Sequence, residues 1–241
     1  MDALSQPAAG APRTLVERAY LELRRDIVDG HHRAGDRLRV EHLKDRYRVG
    51  AGTLREALAL LVSDALVVAE GQRGFRVTAI SLADLEDLTA KRVLIETEAL
   101  RQSIRHGDAA WERELGAAFV RLTAIEGGPD ARRPGDPRWE ADWEAANKAF
   151  HDRLIGGCDS SWNRLLLGIL YRHAERYRHV ALRLGALQDN PRDVHREHTE
   201  IYEAAIARRE ARAALALEDH VRLTFELLSL RARELDEFSR A

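Results

Sequence analysis

The stretch that decides the fold is residues 47–77, YRVGAGTLREALALLVSDALVVAEGQRGFRV. Its first half places apolar side chains at the spacing of an α-helix and leaves polar side chains on another face; the apolar positions are Leu54, Ala57, Leu58, Leu61 and Val62. Its second half predicts a β-hairpin, because an apolar run over 65–70 precedes a polar tip over 71–74 and an alternating segment that begins at Phe75. We therefore expect a helix followed directly by a hairpin, as in a winged helix.

A second short helix is predicted upstream, since Val40, Leu43 and Tyr47 share one face and residues 49–52 are small enough for a tight turn. An α-helix about 10–12 Å across fits the major groove of B-form DNA, where its early side chains reach base edges. The candidate DNA contacts are Arg39, Thr53, Arg55, Gln72, Arg73 and Gly74. The alternative is that Arg55 and Glu56 form a solvated ion pair on an ordinary helical domain.

The distribution of charge agrees with DNA binding through a limited surface. The whole chain carries 38 Lys and Arg against 40 Asp and Glu, whereas residues 31–60 contain 7 basic against 4 acidic side chains. A mild local excess of positive charge favours a sequence-selective reader that acts as two copies, rather than a protein that coats DNA by charge alone.

Composition predicts a cytoplasmic protein without a membrane anchor. Cys158 is the single cysteine, so no internal disulfide can form, and we expect its thiol to fill space in a reducing compartment. No apolar run approaches the roughly 18 residues of a membrane span. Residues 1–12 lack the basic start and apolar core of a secretory signal, and we expect them to be mobile.

After residue 80 the pattern is helical throughout. Ser81 is a good N-cap for the first of six amphipathic segments, which we predict at 82–106, 109–125, 137–156, 161–185, 191–208 and 210–233. The stretch 127–137 contains three prolines and three glycines and predicts a flexible loop. The fold class is therefore mainly α, with a mobile N-terminus at 1–12, a winged helix-turn-helix domain at 13–80 and an all-helical domain at 81–235.

Three histidines of the helical domain form a candidate metal site. Asn147 and His151 are four residues apart and share a helix face, while His198 and His220 lie on two consecutive helices that can form a hairpin. Three imidazoles and one oxygen would suit a divalent ion such as zinc, nickel or manganese. Ordinary buried or surface histidines are the alternative. A metal-dependent enzyme is a rival interpretation, but no carboxylate stands at the motif spacing of a general base, so we predict that the chain is not an enzyme.

Residues 15–80 resemble the winged-helix domain of the GntR family of bacterial transcription regulators. The segment that carries the resemblance is LRRDIVDGHHRAGDRLRVEHLKDRYRVGAGTLREAL. The family usually leads into its recognition helix with serine, arginine, threonine and proline, whereas this chain has Gly50, Ala51, Gly52 and Thr53. The resemblance implies DNA contacts for Arg55 and for the hairpin wing, and it leaves base reading at position 51 in doubt.

Residues 82–232 resemble the FCD domain, the helical effector-binding module of the FadR branch of that family, through LTAKRVLIETEAL, NKAFH and REHTEIYEAAIARREARAALALEDHV. The resemblance implies a metal held by Asn147, His151, His198 and His220, with Asn147 in place of the family's aspartate and His195 as a candidate substitute. It also implies a carboxylate effector near the metal. The candidate effector contacts are Arg92, Arg172, Arg176 and Tyr177, although Arg92 could instead pair with Glu96 and the arginines of 172–183 could form a solvated face.

The segments VGAGTLREAL, FHDRLIGGCDS and ERYRHVALRL are similar to CsiR-type repressors, which respond to a small dicarboxylate of the glutarate class. The resemblances together predict a homodimer that binds an inverted-repeat operator in double-stranded DNA and is released by a small carboxylate. A dimer with no ligand and a purely architectural role is the remaining alternative.

Overall fold

The computed structural model describes residues 12–127, 136–183 and 192–232. Its N-terminal part is a winged helix, in agreement with the sequence. Three helices, α1 (Leu15–Val28), α2 (Val40–Tyr47) and α3 (Ala51–Ser63), accompany the strands β1 (Arg37–Leu38), β2 (Val67–Ala69) and β3 (Phe75–Val77). The strands form one antiparallel sheet in the order β1-β3-β2.

The apolar face of α3 forms the centre of this domain. Leu54, Ala57, Leu58 and Leu61 have no exposed surface, and they pack on α1 and on the sheet. The turn between α2 and α3 contains Arg48 in the left-handed region at φ 52°, which ends α2 within one residue. Burial of one face of α3 therefore fixes which of its side chains point away from the protein.

The hairpin is shorter than the sequence predicted. Ala65 has φ 58° and lies outside the strand, and its carbonyl accepts a hydrogen bond of 2.6 Å from the Thr78 hydroxyl. The wing tip contains a short 3-10 turn at Gly71–Arg73. Strand β1 was not predicted, because a strand of two residues is too short to show an alternating pattern.

The second part of the chain is a bundle of helices, as the sequence predicted. Its elements are α4 (Leu82–His106), α5 (Ala109–Glu126), α6 (Pro137–Leu154), α7 (Ser161–Arg183), α8 (Val194–Ile206) and α9 (Glu210–Ala232). Ser81 caps α4 by accepting a hydrogen bond of 3.1 Å from the Asp84 amide. Helix α4 packs on α9 and α7, α5 packs on α6, and α8 packs on α9.

Most predicted helix boundaries agree with the structure within about two residues. Helix α8 begins three residues later than predicted, since the Asp193 side chain caps it by accepting from the Arg196 amide at 3.0 Å. Several predicted features lie outside the described residues: nearly all of the mobile N-terminus at 1–12, most of the loop at 127–137, and the helix ends at 185 and 233. Within the three described ranges, no helix combines the length and the hydrophobicity needed to cross a bilayer.

Candidate DNA-reading surface and metal centre

The outer face of α3 is the candidate reading surface. Arg55 and Glu56 are exposed and Thr53 is half-buried, whereas Leu54 between them is buried. The N-cap of α3 is Gly50, which has no side chain to cap the first amides of the helix. Those amides can therefore donate hydrogen bonds to a phosphate oxygen, whose negative charge the positive end of the helix dipole also favours.

The other predicted DNA contacts lie at the start of α2 and in the tip of the wing. Arg39 is exposed at the N-cap of α2, and Arg73 is exposed in the 3-10 turn of the wing tip. Gly74 follows at φ 92°, a backbone conformation that favours glycine. The side chain of Gln72 lies outside the described part of the structure. Two of the predicted DNA contacts outside α3, Arg39 and Arg73, are thus exposed basic side chains.

The three predicted histidines come together inside the helical bundle. His151 of α6, His198 of α8 and His220 of α9 each offer a nitrogen atom, and these atoms lie within 4.8 Å of one another. His198 has no exposed surface, and the other two rings are also buried. The structure therefore brings the side chains into a group compact enough for a single metal ion.

Carboxylates behind two of these rings set their orientation. His198 Nδ1 lies 2.9 Å from Glu126 Oε1, and His220 Nδ1 lies 2.7 Å from Glu197 Oε2. A hydrogen bond at Nδ1 leaves Nε2 as the free ligand atom, which is the usual arrangement behind metal-bound histidines. Sequence reasoning missed this role, because Glu126 is 72 residues from His198 and Glu197 contacts His220, 23 residues away, and not its neighbour His198.

Burial keeps two of the rings neutral. Desolvation, together with the charges of the neighbouring histidines, lowers the pKa of His151 well below its usual value. Desolvation, His198 and Arg192 lower the pKa of His220 in the same way. A neutral imidazole is the form that binds a metal, so the buried environment prepares these two rings for coordination.

Two buried atoms fit a metal ion that the cluster would hold. His198 Nε2 and Asn147 Oδ1 are buried and have no hydrogen-bond partner among the described residues. The Asn147 amide donates to the Tyr171 hydroxyl at 3.1 Å, which leaves its oxygen available. Glu126 is also buried, and its described partners are the Trp143 indole and the rings of His195 and His198. An unpaired buried polar atom is costly, so a cation bound by His198 Nε2 and Asn147 Oδ1 would satisfy both atoms.

His195 is not part of the cluster. Its Nδ1 lies 3.4 Å from Glu126 Oε2, and about a third of its side chain is exposed. The group of ligand atoms within 4.8 Å consists of His151, His198 and His220. The structure therefore places the candidate substitute ligand behind the ring of His198 and not beside its free nitrogen.

Paired arginines surround the cluster. Arg92 is buried and donates from Nε to Glu96 at 2.6 Å, while Glu96 Oε2 lies 3.9 Å from His151 Nδ1. Arg178 contacts Glu144 and stacks on the Tyr171 ring at 4.6 Å. Although burial favours the neutral guanidinium, the Glu144 carboxylate raises the pKa of Arg178 above its usual value. Arg92 thus forms the alternative pair with Glu96 and also lies near the histidines, while its contact with an effector stays a prediction.

The predicted effector contacts on α7 lie elsewhere. Arg172 Nη2 donates to Asp64 at 2.6 Å, Arg176 donates to the Thr78 carbonyl at 2.8 Å, and the Tyr177 hydroxyl donates to Asp84 at 2.6 Å. Asp64 and Thr78 belong to the winged-helix domain, whereas Asp84 lies on α4 of the bundle. Arg172 and Arg176 thus contact the other domain and Tyr177 contacts α4, while an effector role for these side chains stays a prediction. Arg178 was not among the predicted contacts. It contacts Glu144 and the ring of Tyr171, whose hydroxyl accepts from Asn147.

Comparison with known families gives the class of protein that this fold and site define. Residues 15–77 match the bacterial regulatory proteins of the gntR family, and residues 87–223 match the FCD domain. The chain is a DNA-binding transcription regulator. It belongs to the GntR family, and its helical part is an FCD domain.

Its relatives carry the same description. The chain is 45% identical over 222 residues to the HTH-type transcriptional regulator BphR of Paraburkholderia xenovorans (strain LB400), covering 91% of this chain and 87% of the relative. It is 31% identical over 203 residues to the HTH-type transcriptional repressor GlaR of Escherichia coli (strain K12), covering 84% and 90%.

Solved structures share the fold. Escherichia coli McbR/YncC has a TM-score of 0.68 at 17% identity, covering 91% of this chain and 99% of that one. A GntR transcriptional regulator from Rhodococcus sp. RHA1 has a TM-score of 0.64 at 23% identity, covering 89% and 97%.

Proposed function

We propose that the protein is a cytoplasmic repressor that binds an inverted-repeat operator as a homodimer and leaves it when a small carboxylate binds the helical domain. Residues 13–80 read the DNA, and residues 81–235 bind the effector and the second copy. The single observation that carries the proposal is a reading helix with its exposed face free of the protein, in the same chain as a buried histidine cluster. The name of the relative GlaR, a repressor, supports the sign of regulation.

The helical domain binds a divalent metal, zinc, nickel or manganese, through Asn147 and the three histidines. Its fit is supported by the unpartnered His198 Nε2 and Asn147 Oδ1. When bound, the metal supplies a Lewis-acidic position for one effector carboxylate oxygen. Arg92, buried beside His151, orients the carboxylate through its planar guanidinium. A small dicarboxylate is the effector class that we propose.

An exposed apolar stripe on α7 supports the homodimer. Trp162, Leu165, Leu166 and Ile169 recur at the spacing of one helix face, and 70% of Trp162 is exposed. Apolar side chains in such a row are typical of an interface between copies, since water would otherwise surround them. A second copy related by two-fold symmetry would place the same stripe opposite itself. The two winged-helix domains, here called the reading heads, would then lie on successive half-sites of the DNA.

The experiment that tests the reading surface begins with selection of bound DNA from a random pool, which supplies the operator. We expect Arg55→Ala to lower operator affinity about ten- to a hundredfold, the loss typical of one good base contact. The matched control is Arg196→Ala, since Arg196 is also exposed but lies on α8. Fluorescence anisotropy measures both. Wild-type affinity in the Arg55 variant would show that α3 is not the reading helix.

A further inference from the structure

Helix α7 has contacts on two opposite sides. Toward the bundle, the Tyr171 hydroxyl donates to Glu144 at 2.9 Å and accepts from the Asn147 amide at 3.1 Å. Toward the winged helix, Arg172 and His173 contact Asp64. Consecutive residues of one helix therefore touch the metal centre's neighbours and the reading head.

Asp64 is the centre of the contact with the reading head. It is the C-cap of α3, directly after the last residue of the reading helix. Its carboxylate accepts from the Tyr20 hydroxyl at 2.5 Å and from Arg172 Nη2 at 2.6 Å, and its carbonyl oxygen lies 3.0 Å from His173 Nε2. Only 16% of the side chain of Asp64 and of Arg172 is exposed. A charge-assisted contact that is largely shielded from water holds its geometry more firmly than a surface pair.

Further contacts on the same side of α7 widen this interface. Glu175 forms an ion pair with Arg24 of α1. Arg176 is buried and donates to the Thr78 carbonyl, at the end of the hairpin. The reading head is thus attached to α7 at the end of α3, on α1 and behind the wing.

We propose that Asp64, Tyr20, Arg172 and His173 form a latch that positions the reading helix, and that α7 transmits changes at the histidine cluster to this latch through Tyr171. Asp64 and Arg172 are positioning residues, because they act on α3 and do not touch DNA. The regulatory meaning of the latch rests on the proposed function, whereas the latch itself does not depend on any ligand.

Helix α7 is packed on both domains and therefore moves as a unit. A change in Asn147 or Glu144, the two groups that hold Tyr171, shifts or rotates α7, and Arg172 shifts with it because it is the next residue. The end of α3 then loses or regains its contact at Asp64. Two reading heads that must match the spacing of two half-sites are sensitive to such a shift.

Hydrogen exchange of the full-length protein without DNA or effector tests this proposal. The amides of Asp64, Ala65 and Leu66 are hydrogen-bonded to carbonyls of α3 and report local opening at its end. We expect Arg172→Met to speed exchange at these amides about tenfold, the effect of losing one hydrogen bond to a charged group. Tyr171→Phe, a change within the bundle, should speed exchange at the same three amides. In the Arg172→Met background it should add nothing further, since the link is already broken.

Tyr202→Phe is the matched control, because it removes a tyrosine hydroxyl from α8 in the same domain, and it should leave residues 64–66 as in the wild type. If Arg172→Met does not fold, Asp64→Asn removes the same ion pair. Exchange that changes in Tyr171→Phe only within α6 and α7 would overturn the proposal, as would effects of the two substitutions that simply add. A failure of metal or effector binding would refute the proposed function without altering this measurement.

Discussion

At the scale of single residues, Asn147 is the proposed ligand that would set how strongly the histidine cluster holds a metal. The amide oxygen of Asn147 is a weaker metal ligand than a carboxylate, and the site carries one negative charge fewer than it would with aspartate. Three neutral imidazoles and an amide around a divalent ion keep its full positive charge, which favours an anionic effector. Compared with aspartate, Asn147 would therefore lower the metal affinity of the site and raise its attraction for a carboxylate.

Asn147→Asp should raise zinc affinity about tenfold or more, because a carboxylate binds the ion through charge as well as through its oxygen lone pairs. The same change should lower the melting temperature of the metal-free protein, since a buried carboxylate would then lie beside Tyr171 without a counter-charge. Calorimetric titration with zinc and a thermal melt in chelator check both effects. His195→Ala is the control and should leave zinc affinity nearly unchanged. An unchanged affinity in Asn147→Asp would mean that residue 147 is not a ligand.

The histidines of the cluster could be predicted from the sequence, but the residues that support them could not. His151, His198 and His220 occur in segments that resemble a known domain, so their positions carried a signal. Glu126 and Arg178 join the site only through the packing of α5 and α7, and contacts between helices far apart in sequence leave no spacing to recognise. The contacts of the α7 arginines with the winged helix could not be predicted for the same reason, since periodicity shows that residues share a face but not what that face contacts.

At the scale of elements, the connection between α4 and α5 depends on the absence of a side chain. A Cβ on Gly107 would lie 2.5 Å from the Ser103 carbonyl oxygen and would also strike the Trp111 ring. That ring is buried, so it has little room to move. Asp108 starts α5 immediately afterwards by accepting from the Trp111 amide at 2.9 Å.

Gly107→Ala should destabilise the protein by about 1–3 kcal/mol, the usual effect of overpacking a core. Gly52→Ala provides the matched comparison, since nothing lies within 4 Å of its added Cβ and alanine favours the helix by about 0.5–1 kcal/mol. Urea unfolding followed by circular dichroism measures both. Equal stability of the two variants would contradict the packing described around Gly107.

Most elements could be predicted because their signals are local. Capping by Ser81 and the apolar rows of α3 and α4 to α9 are visible in one sequence. The strand β1 could not be predicted, since its two residues are extended only because Arg37 and Leu38 pair with β3. Strand β2 begins at Val67 and not at Ala65 as predicted. This difference could not be predicted either, because Ala65 contacts Thr78, 13 residues away.

At the scale of the whole molecule, the proposed regulation requires that effector binding and DNA binding are energetically coupled. A ligand changes DNA binding only if it binds one arrangement of the reading heads more tightly than the other. Coupling between sites is commonly about 1–3 kcal/mol, which corresponds to roughly 5- to 150-fold in affinity. The contacts between α7 and the winged helix supply a physical path for such coupling.

Operator affinity measured with and without a carboxylate tests the central claim most directly. The wild type and His198→Ala would be titrated onto the selected operator in saturating zinc, alone and with succinate, glutarate or adipate, and followed by fluorescence anisotropy. We expect at least one of these acids to lower the affinity of the wild type for the operator about tenfold. The His198 variant should bind the operator equally well with and without that acid. Wild-type affinity that none of the acids changes, or an equal loss in both proteins, would contradict it.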